Sequence, residues 1–240
     1  MYHLELKITG DNSHTLLVKE LNETYHSTKG AINEALHVFI QKGLTDYLAI
    51  NNCNEIEVFE VGFGTGLNAH LTQLFANENQ VKINYTSVET HPLNIELIKQ
   101  LNYTDLICSD KEIYLNLHEV EWGKSVKIDD YFSLTKLHDE LKNIHEKEKF
   151  DVIFFDAFAP DIQPEMWSKS IFEQMYKSLK QGGVLVTYCA KGVVKRTIKE
   201  LGFKLETLAG PPGKREMIRS WKWEDRRWES EITINKQLVR

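Results

Sequence analysis

Hydrophobic and polar positions change their spacing along the 240-residue chain, and the changes divide it into two parts. Two short alternating runs flank a Gly-Asp-Asn turn at residues 10–12, which predicts a β-hairpin. Residues 30–50 then carry apolar side chains at helical spacing, which predicts an amphipathic helix. We therefore expect residues 1–54 to form an N-terminal extension made of a hairpin and a helix.

From residue 55 onward, strand-like apolar runs alternate with helical patterns. This alternation predicts an α/β core over residues 55–240, built on a mainly parallel sheet with crossover helices. The last two strand-like runs are joined by a Pro/Gly turn, which predicts an antiparallel hairpin at one edge. Strands are predicted at 55–62, 81–89, 150–157, 184–190, 203–209 and 215–221, and helices at 67–77, 92–101, 134–148, from Pro164 onward, and at 193–201.

Composition narrows the class of protein without identifying it. With 42% hydrophobic and 27% charged residues, the chain should bury a substantial core. Its three cysteines have no metal-ligand or disulfide spacing, so we predict no metal site and a reducing compartment. No signal-like start and no apolar run long enough to span a bilayer are present, so we expect a cytoplasmic protein that does not bind membranes.

Charge is distributed unevenly along the sequence. The formal net charge is −6, but residues 177–240 hold 15 Lys and Arg against 7 Asp and Glu. An acidic body with a basic C-terminal quarter is what a protein that meets a polyanion would carry. A basic face that merely contacts solvent is an equally good interpretation of charge alone.

Three glycines at a strand-to-helix junction form the most informative motif. Gly62, Gly64 and Gly66 allow a tight turn and a close approach of backbone to a ligand. A dinucleotide fingerprint would need its third glycine at Leu67, and a phosphate loop would need a Gly-Lys-Ser/Thr ending, so both interpretations fail. A GxGxG spacing preceded by the acidic Glu60 resembles motif I of class I S-adenosylmethionine-dependent methyltransferases; a plain tight turn is the alternative.

Two more acids follow predicted strands. Glu89 ends the second core strand, where a carboxylate can accept hydrogen bonds from two vicinal ribose hydroxyls. Asp156 directly follows the four apolar residues 152–155 of the predicted strand, and Phe158 lies two residues further on. Ligands of such folds bind at the carboxyl edge of the sheet, so an acid beside an aromatic ring there suits a planar acceptor that carries an amine. Caps or surface acids are the alternatives.

Several segments together resemble one family. YHSTKGAINEALHVFI, EVGFGTGLN, SVETHP, DVIFFDAFAP, GGVLVTYCAKGVVKR and GPPGKREM, in this order, resemble the methyltransferase half of the MnmC family of tRNA 5-methylaminomethyl-2-thiouridine biosynthesis proteins, including its stand-alone MnmD-like form. The resemblance implies a Rossmann-like class I methyltransferase fold with a seven-stranded sheet and S-adenosyl-L-methionine as cofactor. It also implies methylation of 5-aminomethyl(-2-thio)uridine at the wobble position of the tRNA anticodon loop. A flavin-binding oxidase half has no room here, so we expect the stand-alone form.

The resemblance also implies roles for individual residues. Asp156 and Phe158 would form the reaction centre. The expected cofactor-binding residues are Tyr25, Ser27, Glu34, Glu60, Gly62, Gly64, Gly66, Asn68, Glu89 and Asp156. Tyr25, Ser27 and Glu34 would belong to a lid. The segment that holds the adenine is not recognisable, which leaves Asp129 and Asp130 as weak candidates.

A tRNA substrate requires aromatic and basic side chains near the same edge of the sheet. Trp167, Phe158 and Tyr188 are the aromatic candidates, although each is more typical of a core. The candidate tRNA-binding residues are Trp167, Lys191, Lys195, Arg196, Lys214 and Arg215.

Two other functions remain compatible with the residues. One is a class I methyltransferase that acts on a small amine or a protein, which would share every cofactor residue. The other is a non-catalytic RNA-binding module with the same fold.

Overall fold

The computed structural model describes residues 2–223, and the predicted end of the core at residue 240, with part of the basic C-terminal quarter, lies outside them. Eleven strands lie in this part of the chain: β1 (Leu4–Ile8), β2 (His14–Val18), β3 (Glu23–Thr24), β4 (Glu55–Val61), β5 (Lys82–Glu89), β6 (Ser125–Lys127), β7 (Phe132–His138), β8 (Phe150–Phe155), β9 (Leu179–Thr187), β10 (Lys204–Ala209) and β11 (Glu216–Trp221).

Eight α-helices lie in the same part of the chain. They are α1 (Ala31–Ala35), α2 (Asp46–Asn51), α3 (Leu67–Asn79), α4 (Ile95–Ile98), α5 (Tyr103–Leu106), α6 (Lys111–Glu119), α7 (Lys169–Ser178) and α8 (Gly192–Glu200). A π-helical segment, Leu36–Thr45, joins α1 to α2, and 3₁₀ turns lie at Leu141–Asn143 and Pro164–Trp167.

The main sheet has eight strands in the order β10-β11-β9-β8-β4-β5-β7-β6. The five central strands are parallel, and β11 runs antiparallel to both β9 and β10, which confirms the predicted C-terminal hairpin. The eighth strand is the short β6, which pairs antiparallel with β7 at the far edge. The α/β fold class is therefore confirmed, with one edge strand more than expected.

The N-terminal extension packs directly on this sheet. Its predicted hairpin is part of a three-stranded antiparallel sheet, β1-β2-β3. The π-helical segment crosses the main sheet so closely at Gly43 that a Cβ there would lie 3.1 Å from the Phe154 ring and 3.2 Å from Val186. A larger residue at position 43 would therefore require these side chains to shift by a few tenths of an ångström. The boundary at residue 54 stays a prediction.

The predicted helix over residues 134–148 is wrong. Phe132, Leu134 and Lys136 are buried and alternate with partly exposed neighbours, which is the burial of a strand, and they form β7. Pairing with β5 along seven residues outweighs the helical propensity of this charged stretch. Residues 111–119, for which no element was predicted, form α6, and the helix predicted over 92–101 is reduced to the four residues of α4.

Successive side chains of β8 alternate between the two faces of the sheet, and both faces are buried. Val152 and Phe154 pack with the helices of the N-terminal side, whereas Ile153 and Phe155 pack with α7 on the other side. This strand is buried throughout, so its last residue delivers the following Asp156 to the carboxyl edge of the sheet. No helix within residues 2–223 has both the length and the apolar character needed to cross a membrane.

Candidate active site

A cavity of about 900 Å³ lies at the carboxyl ends of β4, β5 and β8. Because β4 pairs with β5 on one side and β8 on the other, this is the point where the strand order reverses and where open α/β sheets bind ligands. Residues 23–28 of the N-terminal extension form one wall. The volume is at the upper end of the range of roughly 300–1,000 Å³ that holds small molecules and cofactors.

The glycine loop has the backbone conformation that its sequence predicts. Gly62, Gly64 and Gly66 have φ values of 89°, 47° and 71°, in the left-handed region that favours glycine. Gly62 and Gly64 line the cavity, and a Cβ on Gly64 would lie 3.1 Å from the Tyr25 ring. Gly66 instead faces α6, where a Cβ would lie 2.6 Å from His118 Nε2. Two of the glycines therefore border the ligand space, and the third lets α6 approach the loop.

Glu89 lies beside this loop. Its Oε2 accepts a hydrogen bond from the Gly64 N–H at 3.0 Å, and its Oε1 accepts one from the His91 N–H at 2.7 Å. Each carboxylate oxygen keeps a second lone pair, and the residue lines the cavity. The two backbone donors thus fix an acceptor that is suited to a pair of vicinal hydroxyls.

A buried lysine supports the loop from behind, and sequence reasoning missed it. Tyr114 Oη and His118 Nε2 both lie within hydrogen-bond distance of the Thr65 carbonyl, at 2.7 and 3.1 Å. Lys136, fully buried, donates to the His118 carbonyl, and its ammonium lies 4.6 Å from the Trp122 ring centre. Burial lowers the pKa of Lys136 to about 8. The wrong helix prediction over residues 134–148 explains why Lys136 was not predicted in the core. The alternation along the strand β7 places it on the buried face.

Asp156 opens into the cavity, whereas Glu60 lies behind its wall. Asn68 Nδ2 donates to Asp156 Oδ2 at 2.9 Å, and Ser87 Oγ donates to Glu60 Oε2 at 2.8 Å. Burial raises the pKa of both carboxyls well above the usual range. Asn68 Oδ1 is buried and has no partner among the described residues, so a donor on a ligand would complete its hydrogen bonding. Glu60, predicted to bind the cofactor, does not line the cavity.

Aromatic side chains line the wall next to Asp156. Phe158 and Tyr25 pack edge to face with ring centres 5.2 Å apart, and both border the cavity. Trp167, predicted on the substrate surface, is 6% exposed and packs against Phe155, while its Nε1 donates to the Phe158 carbonyl at 2.7 Å. Trp167 therefore holds the Phe158 segment and presents no ring for stacking.

Glu34 and Lys214 meet across the mouth of the cavity. Their side chains form an ion pair of 2.5 Å, and the other Glu34 oxygen accepts a hydrogen bond from the Ser27 N–H at 2.7 Å. Lys214 Nζ also lies 3.7 Å from the Tyr188 ring centre. All four residues line the cavity, so the predicted lid residues and Lys214 belong to one cluster.

The remaining basic candidates lie outside the cavity lining. Lys191 forms an ion pair with Asp161, and Lys195 forms one of 2.6 Å with Glu216. Arg196 and Arg215 are exposed. Residues 177–223 retain the basic character, with 11 Lys and Arg against 3 Asp and Glu.

The two adenine candidates lie away from the cavity, and a different acid borders it. Asp129 accepts hydrogen bonds from Gln73 and Asn77 in a turn, and Asp130 is exposed and pairs with Lys127. Neither lines the cavity, whereas Asp139, directly after β7, does. Asp139 repeats the arrangement of Glu89 and Asp156, an acid that follows a strand, and a correct strand prediction for β7 would have found it.

Comparison with known proteins agrees with this geometry. Residues 111–223 match a family described as S-adenosyl-L-methionine-dependent methyltransferase. A tRNA 5-methylaminomethyl-2-thiouridine biosynthesis bifunctional protein MnmC from Leptospira interrogans is 34% identical over 88% of this chain, and one from Pseudoalteromonas translucida is 28% identical over 85%. The chain spans about a third of the length of these two relatives, 34% in each case.

Solved structures show the same fold. MnmC2 from Aquifex aeolicus, 24% identical, has a TM-score of 0.74, with 98% of this chain and 76% of that chain covered. Spermidine synthase from Thermotoga maritima, 13% identical, has a TM-score of 0.55, with 93% and 73% covered.

The family match over residues 111–223 and the MnmC relatives place the chain among the S-adenosyl-L-methionine-dependent methyltransferases, and the shared fold agrees with them. The partnerless Asn68 oxygen, the glycine backbone and the oriented Glu89 carboxylate form a donor and acceptor set that fits this cofactor. Within that class the chain carries an MnmC-like methyltransferase domain, which confirms the resemblance seen in the sequence.

Proposed function

We propose that this protein transfers a methyl group to the primary amine of 5-aminomethyl(-2-thio)uridine at the wobble position of tRNA. The observation that carries the proposal is that Glu89 and Asp156, at the ends of strands on either side of β4, open into one cavity. One carboxylate is suited to ribose hydroxyls and the other to an amine. The names of the MnmC relatives support the choice of substrate.

The cofactor residues follow from the cavity walls. Gly62, Gly64 and Asn68 would hold the methionine end and Glu89 the ribose, while Asp139, which lines the same cavity, would contact the adenine. S-adenosyl-L-methionine, when bound, supplies an activated methyl group. Alignment of the acceptor amine would therefore be the main task of the protein residues.

The reacting amine must be neutral before it can act as a nucleophile. An alkyl amine has a pKa near that of lysine, about 10.4, so it arrives mostly protonated at neutral pH. Asp156 can accept a hydrogen bond from this group and orient its nitrogen. Phe158 and Tyr25, whose rings border the same space, would pack against the uracil ring.

A wobble base reaches this cavity only if the anticodon loop docks nearby. The exposed Arg196 and Arg215 would contact its phosphates, and Lys191 and Lys195 would contribute less because acids already neutralise them. A cytoplasmic location follows from a tRNA substrate.

The substrate is tested by offering three acceptors in parallel with labelled S-adenosyl-L-methionine. These are tRNA from cells that accumulate 5-aminomethyluridine, the same tRNA after its amines have been acetylated, and spermidine. We expect label only in the untreated tRNA. Label in spermidine alone would contradict the tRNA proposal and indicate a methyltransferase that acts on small amines. Cofactor binding without transfer to any acceptor would favour a non-catalytic module.

A further inference from the structure

Glu34 and Lys214 connect parts of the chain that are far apart in sequence. Glu34 comes from α1 of the N-terminal extension, and Lys214 comes from the turn between β10 and β11, 180 residues later. Their ion pair is anchored to a third segment by the Ser27 N–H, and the Glu34 side chain is buried. Lys214 is further held over the Tyr188 ring, whose hydroxyl donates to the Ala157 carbonyl at 2.9 Å. The pair is thus fixed beside the segment that carries Asp156.

The groups that surround Asp156 are mostly unable to stabilise its negative charge. Glu34 acts on it from α1 and Glu60 from β4, and both are acids; Tyr85 from β5 and Tyr188 after β9 are neutral. Asn68 from α3 donates one hydrogen bond. Lys214 is the one cation that acts on Asp156 among the described residues. Burial is the main cause of the raised pKa of Asp156, and Glu34 and Lys214, which line the same cavity, act on that pKa in opposite directions.

We propose that the Glu34–Lys214 ion pair sets the proton affinity of Asp156, and that Asp156 takes the proton of the substrate ammonium group. Glu34 and Lys214 are thus positioning residues that act through Asp156. The N–H bond of the ammonium breaks, the proton passes to an Asp156 oxygen, and the electron pair stays on nitrogen as the nucleophile. This assignment rests on the proposed function, because it assumes an amine acceptor. It gives Lys214 an electrostatic task inside the cavity in place of a phosphate contact.

Substitutions of the two partners should move the titration of Asp156 in opposite directions. Glu34→Gln removes the acid and keeps an oxygen that can accept from Ser27, so Asp156 should lose its proton at lower pH. Lys214→Met removes the cation and leaves Glu34 uncompensated, so Asp156 should keep its proton to higher pH. Each change should be about one pH unit, the size expected for a single nearby charge. The double variant should titrate close to the wild type.

The titration can be followed without substrate by carbon NMR of protein labelled at aspartate carboxyl carbons, with the Asp156 signal assigned by its loss in Asp156→Asn. Lys214→Arg, which keeps the cation, is the matched control and should titrate as the wild type does. Opposite displacements that cancel in the double variant support the proposal. Displacements in the same direction, or none in the folded Glu34→Gln variant, overturn it even if Lys214→Met fails to fold.

Kinetics then separate this inference from the proposed function. If the wild type methylates tRNA, the acid limb of its kcat/KM profile should move with the NMR titration in each variant. An unmoved profile in an active enzyme overturns the proton transfer to Asp156 alone. If the wild type is inactive but the NMR titrations of the variants move as expected, the proposed amine acceptor and the proton transfer from it are overturned. The tuning of Asp156 by the ion pair is then still supported.

Discussion

Two walls of the cavity are built by different physical means. The cofactor wall consists of the glycine loop and Glu89, and its shape comes from backbone conformation and backbone hydrogen bonds. The acceptor wall consists of Asp156, Glu34 and Lys214, and its properties come from side-chain charges brought together from three segments. Substitutions in the first wall should therefore change cofactor affinity, and substitutions in the second should change turnover.

The largest expected effect is on the acceptor wall. Asp156→Ala removes the group proposed to orient and deprotonate the amine, so kcat should fall by about 10²–10⁴-fold. Affinity for S-adenosyl-L-methionine, measured by calorimetry, should stay within about threefold, since Asp156 bonds to neither the glycine loop nor Glu89 and the variant loses only the hydrogen bond from Asn68. Loss of cofactor binding equal to the loss of turnover would erase the distinction between the walls.

Glu89→Gln gives the complementary result. An amide has one acceptor oxygen in place of two, so the glutamine side chain cannot accept hydrogen bonds from both backbone N–H groups and both ribose hydroxyls. We expect cofactor affinity to fall by about 10- to 100-fold, as for the loss of one or two charge-assisted hydrogen bonds. At saturating cofactor, kcat should be nearly unchanged. Glu78→Gln, at an exposed acid outside the cavity lining, is the control and should bind normally.

Sequence reasoning worked best on the wall that is local in sequence. The glycine loop and Asp156 directly follow a strand and Glu89 is the last residue of one, so a motif of a few residues places them. The Glu34–Lys214 pair could not be predicted, because the contact depends on how the N-terminal extension packs on the sheet. The positions of Trp167 and Glu60 outside the cavity lining were also not predictable, because a motif gives the position of a side chain but not which side of a cavity wall it occupies.

Lys136 shows how a single wrong element hides a residue. Residues 134–148 are rich in Lys and Glu, which favours a helix, but pairing with β5 makes the first part a strand. Once β7 is recognised, Lys136 falls on a buried face and Asp139 at a strand end. Both residues therefore depended on a tertiary contact that local propensity does not contain.

The buried Lys136 predicts a pH effect on stability. Its folded pKa, about 8, lies below its ordinary value of 10.5, so between these values the unfolded chain binds the proton and the folded chain does not. Stability should therefore rise as the pH increases from 7.5 to 9.5, by about 2 kcal/mol relative to Lys136→Met. Urea unfolding of both proteins at the two pH values measures the difference. A difference that does not change with pH would contradict a deprotonating lysine behind the glycine loop.

The smallest effect concerns the basic surface outside both walls. Neutralising Arg196 and Arg215 should weaken tRNA binding and reduce the slope of log affinity against log salt by about 1 to 2, as expected for two lost phosphate contacts. Neutralising Lys191 and Lys195, which already pair with acids, should change the slope by less. Equal effects of the two double variants would show that the ion pairs do not shield their lysines.

The most direct test of the account is nucleoside mass spectrometry of tRNA that carries 5-aminomethyluridine, after incubation with S-adenosyl-L-methionine and either wild type or Asp156→Asn. The account predicts that the wild type converts this nucleoside into its methylaminomethyl form, and that Asp156→Asn binds the cofactor but leaves the nucleoside unchanged. Full conversion by Asp156→Asn, or methylation of a different nucleoside by the wild type, would contradict it.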